Sequence, residues 1–512
     1  MYWRISLAIT AAFLLLCASL AINSARAAND LRSPADDGTL SALAAVAGAA
    51  TMESHTYEYV AELSDDIGGR VTGSPEAAKA IAWGLQKMKA IGLENVRTES
   101  FPLFRGWRRI SAQAEIVSPI ERKVEIDSLG WVGSTPASGV EAEIVPVNPF
   151  QQDEEIRNNA RNWRGKILIC IGKGAPAADA LLAFEKFGDL LDAAHASGAL
   201  AVIGGQGGDG SFGMHLTHTG ILGFNRMFEI PVVSVTQEDQ KQIERFLDAG
   251  RSVRMKINVQ NQFTDGPVDS ANVVGEIRGS ENPEQIVVVG GHLDSWDLAS
   301  GATDNGCGAA TTLGAAEAIM KSGMKPRRTI RFVLFTGEEQ GLDGSRAYAK
   351  QHAEEMKNHL AGVVLDNGQG PVTKLQLGGR TDLVPAVERF AAALQSFGKI
   401  DVDDQVAFDT DTGPFILAGL PGINLDQDTS EYRYTAHSPV DTLDKIDPAI
   451  LDRNAAIMAL TAFWIADRPE RLATAWPASK TARMLIDKRQ DAFLKAAGLW
   501  PFDSMAESPT QN

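Results

Sequence analysis

Two histidines and four carboxylates carry the chemistry open to this chain: His292, Asp304, Glu338, Glu339, Asp366 and His437. His292 closes the apolar run from Ile286, Glu338-Glu339 follow Leu334-Phe335-Thr336-Gly337, and Asp366 follows Val363-Val364-Leu365. Imidazole nitrogen and carboxylate oxygen are donors of a catalytic zinc site that keeps one position open for water. Two such cations about 3.5–4 Å apart can share a bridging carboxylate and clamp a water against a scissile oxygen. The expected chemistry is therefore metal-assisted hydrolysis. Each residue alone says less. A histidine after a strand is usually structural, Asp304-Asn305-Gly306 is by itself a turn or helix cap, and Asp366-Asn367-Gly368 is turn-like. The Glu338-Glu339 pair is sharper, because adjacent carboxylates at an apolar strand end repel unless a cation or proton holds them. Asp294 points the same way as His292 along an extended chain and can accept the second imidazole N–H. Tyr432 or Tyr434, just before His437, could donate to an oxyanion.

Those donors need a sheet whose strand ends meet. Strand-like runs at Ala271–Ile277, Gln285–Gly290, Thr329–Phe335, Ala361–Leu365 and Gly422–Leu425 alternate with helical stretches Gly308–Lys321, Ser345–Leu360 and Leu383–Phe397. Such alternation predicts an α/β fold, a mostly parallel mixed sheet flanked by helices. Ligands in such sheets bind beyond the carboxyl edge, where the three apolar runs terminate. Upstream, Ser74 and Pro75 are expected to start a helix over Glu76–Ile91 that stops at Gly92. Val96–Phe104 and Ile110–Val117 read as strands. From Val140 to Val259 the texture changes to short apolar runs with helical stretches at Ala177–Ser197 and Gln237–Ala249, which predicts a compact inserted α+β domain. Its Gly204–Gly213 loop lacks the ending of a phosphate cradle and reads as a lid or connection. Ile450–Ala466 is a further helix, and the tail after Pro469 holds one amphipathic helix, Lys480–Ala497. The expected division is 28–139 and 261–470 for the main domain, 140–260 for the insertion and 471–512 for an extension.

Two domains suit a chain of 512 residues. A composition of 44% hydrophobic and 22% charged residues is that of a soluble globular protein. The formal net charge of -17 argues against nucleic acid or an anionic membrane surface as partner. Residues 1–27 read as a secretory signal: Arg4, the apolar run Ile5–Ile22, then Ala25-Arg26-Ala27. No later segment reads as long and apolar enough to cross a membrane. The mature protein is therefore expected to be exported, periplasmic or secreted, with no stable membrane insertion. Asn29–Thr51, rich in Ala, Ser, Gly and Asp, is expected to be loosely ordered. Cys17 would leave with the signal; Cys170 and Cys307 make no disulfide framework, although they could pair.

Taken jointly, Gly291-His292-Leu293-Asp294-Ser295-Trp296-Asp297, Thr303-Asp304-Asn305-Gly306, Thr336-Gly337-Glu338-Glu339-Gln340-Gly341 and His437-Ser438-Pro439-Val440-Asp441-Thr442 carry a resemblance. They resemble the motifs of the dizinc exopeptidases of zinc aminopeptidase and glutamate carboxypeptidase type, especially the carboxypeptidase Q branch. The similarity includes Gly69-Arg70-Val71-Thr72-Gly73-Ser74 and Asp411-Thr412-Gly413-Pro414 and spans about Tyr57 to Asp467. It implies a zinc exopeptidase fold with a protease-associated insertion, two zinc ions per chain, short peptide substrates and a homodimer. It further implies that Asp304 bridges the ions, that His292 and Asp366 complete one, and that Glu339 and His437 complete the other. Glu338 would be the general base, Asp294 would orient His292, and the Asp304–Asn305 bond would be cis. Three places depart from the pattern. Asn305 stands where carboxypeptidase Q relatives usually have Asp, Cys307 in the metal loop is a candidate soft ligand, and Glu431–Ala436 lacks the aromatic, His-rich character that bears on substrate preference. A single-zinc acyltransferase of glutaminyl cyclase type and a catalytically inactive peptidase-like binding protein are the competing readings. The second would be marked by lost ligand residues, and none is lost.

Overall fold

The fold is described by a computed structural model over residues 34–502, apart from 53, 150–155, 157, 172–179, 205–214 and 409. The expected signal, Cys17, most of the Gly204–Gly213 loop and the polar C-terminus lie outside the described residues. The chain lays down β1 (Glu94–Leu103) at the edge of a first sheet. It then builds a second sheet from β2 (Trp107–Ser118), β3 (Arg122–Val124), β4 (Ile126–Ser128), β5 (Val140–Val147), β6 (Ile167–Cys170), β7 (Ala201–Ile203), β8 (Val232–Val235) and β9 (Arg254–Phe263). It returns to the first with β10 (Val268–Ile277), β11 (Asn282–His292), β12 (Arg328–Phe335), β13 (His359–Val364), β14 (Val372–Gln376), β15 (Asp401–Asp403) and β16 (Gly422–Gln427). The first sheet runs β1-β10-β12-β11-β13-β16-β14-β15 and the second β3-β2-β9-β5-β6-β7-β8-β4. In the first, β12, β11, β13 and β16 are parallel, with β10 and β14 antiparallel beside them. The α/β expectation of a mostly parallel mixed sheet flanked by helices matches this architecture. The second sheet takes in residues from Trp107 onward, upstream of the texture change at Val140.

The run Ile286–Val289 is buried on both faces, which is why it is continuously apolar and β-branched rather than alternating. Val287 and Val289 pack with Leu313, Ile330, Phe332 and Ile457 on one face. Ile286 and Val288 pack with Val333, Tyr348 and Phe415 on the other. Each such side chain contributes roughly 1.5–3 kcal/mol by leaving water, so the strand that ends in His292 is held firmly from both sides.

Some expectations give way to packing. Pro34–Met52 is a helix, not a loose segment; Ala42, Leu43, Val46 and Ala50 are buried in the main core. Alanine combines high helix propensity with the small size that lets helices approach. Pro448–Asp467 is, by length and composition, apolar enough to cross a membrane, contrary to the expected absence of such a segment, but 78% of its apolar window is buried inside the fold. A helix apolar all round is what a core position requires. The helix expected over Ser345–Leu360 spans only Asp343–Gln351, because His359 enters β13 with its ring between the Tyr348 hydroxyl (2.9 Å) and the Glu355 carbonyl (3.0 Å). The tail helix divides into Ala478–Asp487 and Asp491–Ala496 around Arg489, whose φ is 59°. Cys170 and Cys307 do not pair as a disulfide; both are buried thiols, in different cores.

Candidate metal centre

Parallel register brings the carboxyl ends of β11, β12 and β13 level. His292 pairs with Phe335 and Gly290 with Val364, so Glu338, Glu339 and Asp366 emerge beside His292. Asp304 arrives on the turn before the helix Cys307–Ser322, and His437 on the loop after the short helix Tyr432–Thr435. Asp304 stands between the two histidines: its Oδ1 is 3.2 Å from His292 Nε2 and its Oδ2 is 3.2 Å from His437 Nε2. His292 Nε2 is also 2.9 Å from Asp366 Oδ1, and His437 Nε2 is 3.1 Å from Glu339 Oε2. Two groups of three donors, His292–Asp304–Asp366 and Asp304–Glu339–His437, thus share one carboxylate, and within each the donor atoms lie within 4.8 Å of one another. Glu338 belongs to neither group; its Oε2 is 3.8 Å from His292 Nε2.

The remaining expected residues divide. His292 Nδ1 is 3.0 Å from the main-chain carbonyl of Asp294 and 3.6 Å from its carboxylate, so the nearer acceptor is the carbonyl. The Asp294 carboxylate instead accepts from the Thr72 hydroxyl at 2.8 Å. Tyr432 donates its hydroxyl to Asp304 Oδ2 at 2.8 Å, whereas the Tyr434 ring lies under the Arg433 guanidinium, 4.7 Å away. The Cys307 thiol faces the carbonyls of Thr303 (3.1 Å) and Gly368 (3.2 Å) rather than joining either donor group. The Asp304–Asn305 peptide bond is cis. Asn305 ties this turn to the end of β13, accepting from Gly308 N–H at 2.9 Å and donating to the Leu365 carbonyl at 2.9 Å.

Several supports carried no assigned role in the sequence. Buried Asp441 accepts from the N–H groups of Thr303 (2.5 Å) and Asp304 (3.2 Å). Buried Arg70 donates to the carbonyls of Ser300 and Gly301, each at 2.8 Å. The Trp296 indole N–H donates to Glu339 Oε2 at 2.7 Å. Asp441 and Arg70 lie inside motifs that were legible; the indole contact had no local signal.

Comparison with known proteins decides the lineage. A sequence profile described as Peptidase family M28 matches residues 272–462. Carboxypeptidase Q of Pongo abelii is 33% identical over 422 residues, which is 82% of this chain and 87% of that protein. The chain belongs to peptidase family M28. Among solved structures, a peptidase M28 precursor from Shewanella amazonensis SB2B is similar with a TM-score of 0.77 and 29% identity, covering 86% of this chain and all (100%) of that one. A zinc aminopeptidase from Bacillus subtilis shares the fold at a TM-score of 0.62 and 20% identity, over 82% of this chain and 97% of that one.

The electrostatics of this M28 peptidase test whether divalent cations suit the centre. Burial pushes the carboxyls of Glu338 and Asp366 well above their ordinary range, with neighbouring carboxylates adding to the rise and His292 opposing it. Burial likewise raises Glu339, against the pull of His437. Against burial, Asp366 and its neighbours hold the His292 imidazole well above the usual histidine range, and Glu339 and Asp304 do the same for His437. Four carboxylates therefore crowd two imidazoles, with His292 buried and His437 partly exposed. Glu339 Oε1 is buried without a hydrogen-bond partner. Buried acceptors facing one another are costly unless a positive charge lies among them. A set of histidine and carboxylate donors, halved around one shared carboxylate, fits a pair of divalent ions.

Proposed function

We propose that this M28 peptidase is an exopeptidase that splits dipeptides or removes the N-terminal residue of short peptides with two zinc ions. The observation that carries the reading is the two-faced carboxylate of Asp304, one oxygen toward each histidine. His292 and Asp366 would hold one ion, Glu339 and His437 the other, and Asp304 both. Ions held there would supply a water acidified toward neutrality and a Lewis acid for the scissile carbonyl. Glu338 stands free of both donor groups and takes the proton of the attacking water, then passes it to the leaving amine. The Tyr432 hydroxyl, whose one proton goes to Asp304 Oδ2, would have to leave that acceptor to donate to a substrate oxygen as negative charge develops on it. Trp296, Leu298, Gly301 and Ser438 line a small pocket together with the candidate donors Asp304, Glu339 and His437.

The test is Glu338→Gln. Turnover on a dipeptide panel should fall by about 10²- to 10⁴-fold, while metal content stays at roughly two ions per chain. Wild-type turnover in that variant would overturn the role of Glu338. A measured single ion per chain would favour an acyltransferase, and metal-bound protein inert on every peptide would favour a binding protein. Export after removal of residues 1–27 and homodimerisation belong to the same proposal; N-terminal sequencing of exported protein and light scattering test them.

A further inference from the structure

The two halves of the centre are braced by different parts of the molecule. His292 and Asp366 sit on β11 and just past β13, inside the first sheet. Glu339 and His437 lean on the second. His437 adopts a left-handed backbone, φ 55°, uncommon for a residue with a side chain. It is held there by Thr219, from the connection between β7 and β8: Thr219 N–H donates to the His437 carbonyl at 2.9 Å, and the Thr219 carbonyl faces His437 Nδ1 at 3.2 Å. That second contact turns Nε2 toward the centre. Glu339 is held by the Trp296 indole N–H at 2.7 Å, on the same oxygen that faces His437. Trp296 is wedged against two tryptophans of the second sheet's side, Trp107 at 6.1 Å and Trp131 at 6.2 Å between ring centres. Next to Trp131, Gly130 leaves no room: a Cβ there would stand 2.4 Å from the Trp296 ring.

We propose that Trp296 is a positioning residue for Glu339 and that, through Trp296 and Thr219, the second sheet sets the affinity of the Glu339–His437 half of the centre and not of the His292–Asp366 half. The inference rests on the dinuclear reading above. An indole N–H on a ligand oxygen fixes the carboxylate rotamer, and loss of such outer support typically weakens metal binding about 10- to 100-fold. Because the contact touches one donor group, the loss falls on one ion.

The experiment is a stepwise titration of metal-free full-length protein with cobalt(II), followed by its visible absorption and by calorimetry, for wild type, Trp296→Phe and Gly130→Ala. The phenylalanine keeps a ring in the cluster but has no N–H; the alanine leaves every hydrogen-bonding group in place and displaces the indole. The expected result is one step unchanged within about twofold and the other weakened about 10- to 100-fold in both variants. Equal weakening of both steps, or two unchanged steps, overturns the proposal while leaving the dinuclear reading intact. A wild-type protein that takes up one cobalt ion overturns that reading and the proposal with it.

Discussion

Replacing Asp441 with Asn should loosen the whole centre, and the size of the effect follows from its contacts. The Asp441 carboxylate accepts two backbone N–H groups, from Thr303 and Asp304, and is itself buried. In Asn one oxygen becomes an amide nitrogen, a donor set against a donor, so one buried N–H loses its acceptor. Loss of a charge-assisted hydrogen bond costs about 1.5–3 kcal/mol, and an orphaned buried donor about 1–3 kcal/mol. One term opposes: burial and the nearby Asp304 push the Asp441 carboxyl up to about 7, so removing its charge relieves repulsion. The net expectation at pH 8 is about 2 kcal/mol of lost stability, toward the low end of those losses. Urea unfolding of metal-free protein measures it as a lower midpoint at unchanged slope. Because Asp304 faces both histidines, cobalt titration should show both steps weakened, unlike the one-sided effect expected for Trp296→Phe. An Asp441→Asn protein with wild-type midpoint and wild-type affinity for both ions would refute the account of how Asp304 is held.

Two further outcomes follow from packing. Gly308→Ala would put a Cβ 2.2 Å from Asn305 Oδ1 and 2.5 Å from the Leu365 carbonyl. This overpacking should cost about 1–3 kcal/mol in thermal or urea unfolding; a variant as stable as wild type would contradict the close approach. His359 is held neutral by burial, its ring between the Tyr348 hydroxyl and the Glu355 carbonyl, with its pKa lowered from 6.5 to about 4. The native state therefore binds fewer protons than the unfolded chain between those values. Stability is fully present above pH 6.5 and lost as pH falls toward 4, by about 3 kcal/mol at about 1.4 per unit. His359→Gln should flatten that part of the pH–stability curve, and an unchanged slope would exclude His359 as its source.

The candidate donors that the structure gathers were legible because their types are few and each follows a strand or a turn that the apolar pattern marks. His292, Glu338, Glu339 and Asp366 needed only the placement of three buried runs at one edge. Trp296 was legible as a motif residue but not as a support, since an aromatic residue after a strand reads as packing until its N–H is seen on Glu339. Thr219 acts through main-chain atoms, which leave no mark on residue type. The helix Pro34–Met52 was missed for a related reason: an Ala- and Gly-containing stretch reads as loose until the partner surface that buries it is known. The early stop at Gln351 likewise turns on His359, whose two ring contacts outweigh the local helical preference of the residues before it.

The two thiols give each sheet its own internal clock. Cys307 is 1% exposed in the core around β11, and Cys170 is 3% exposed in the core around β6. A sulfhydryl reagent can reach either one only when its own core opens, so alkylation rates at the two positions, separated by peptide mapping, report opening of the sheets independently. Equal rates at every denaturant concentration would mean the sheets come apart as one unit; divergent rates would show which yields first.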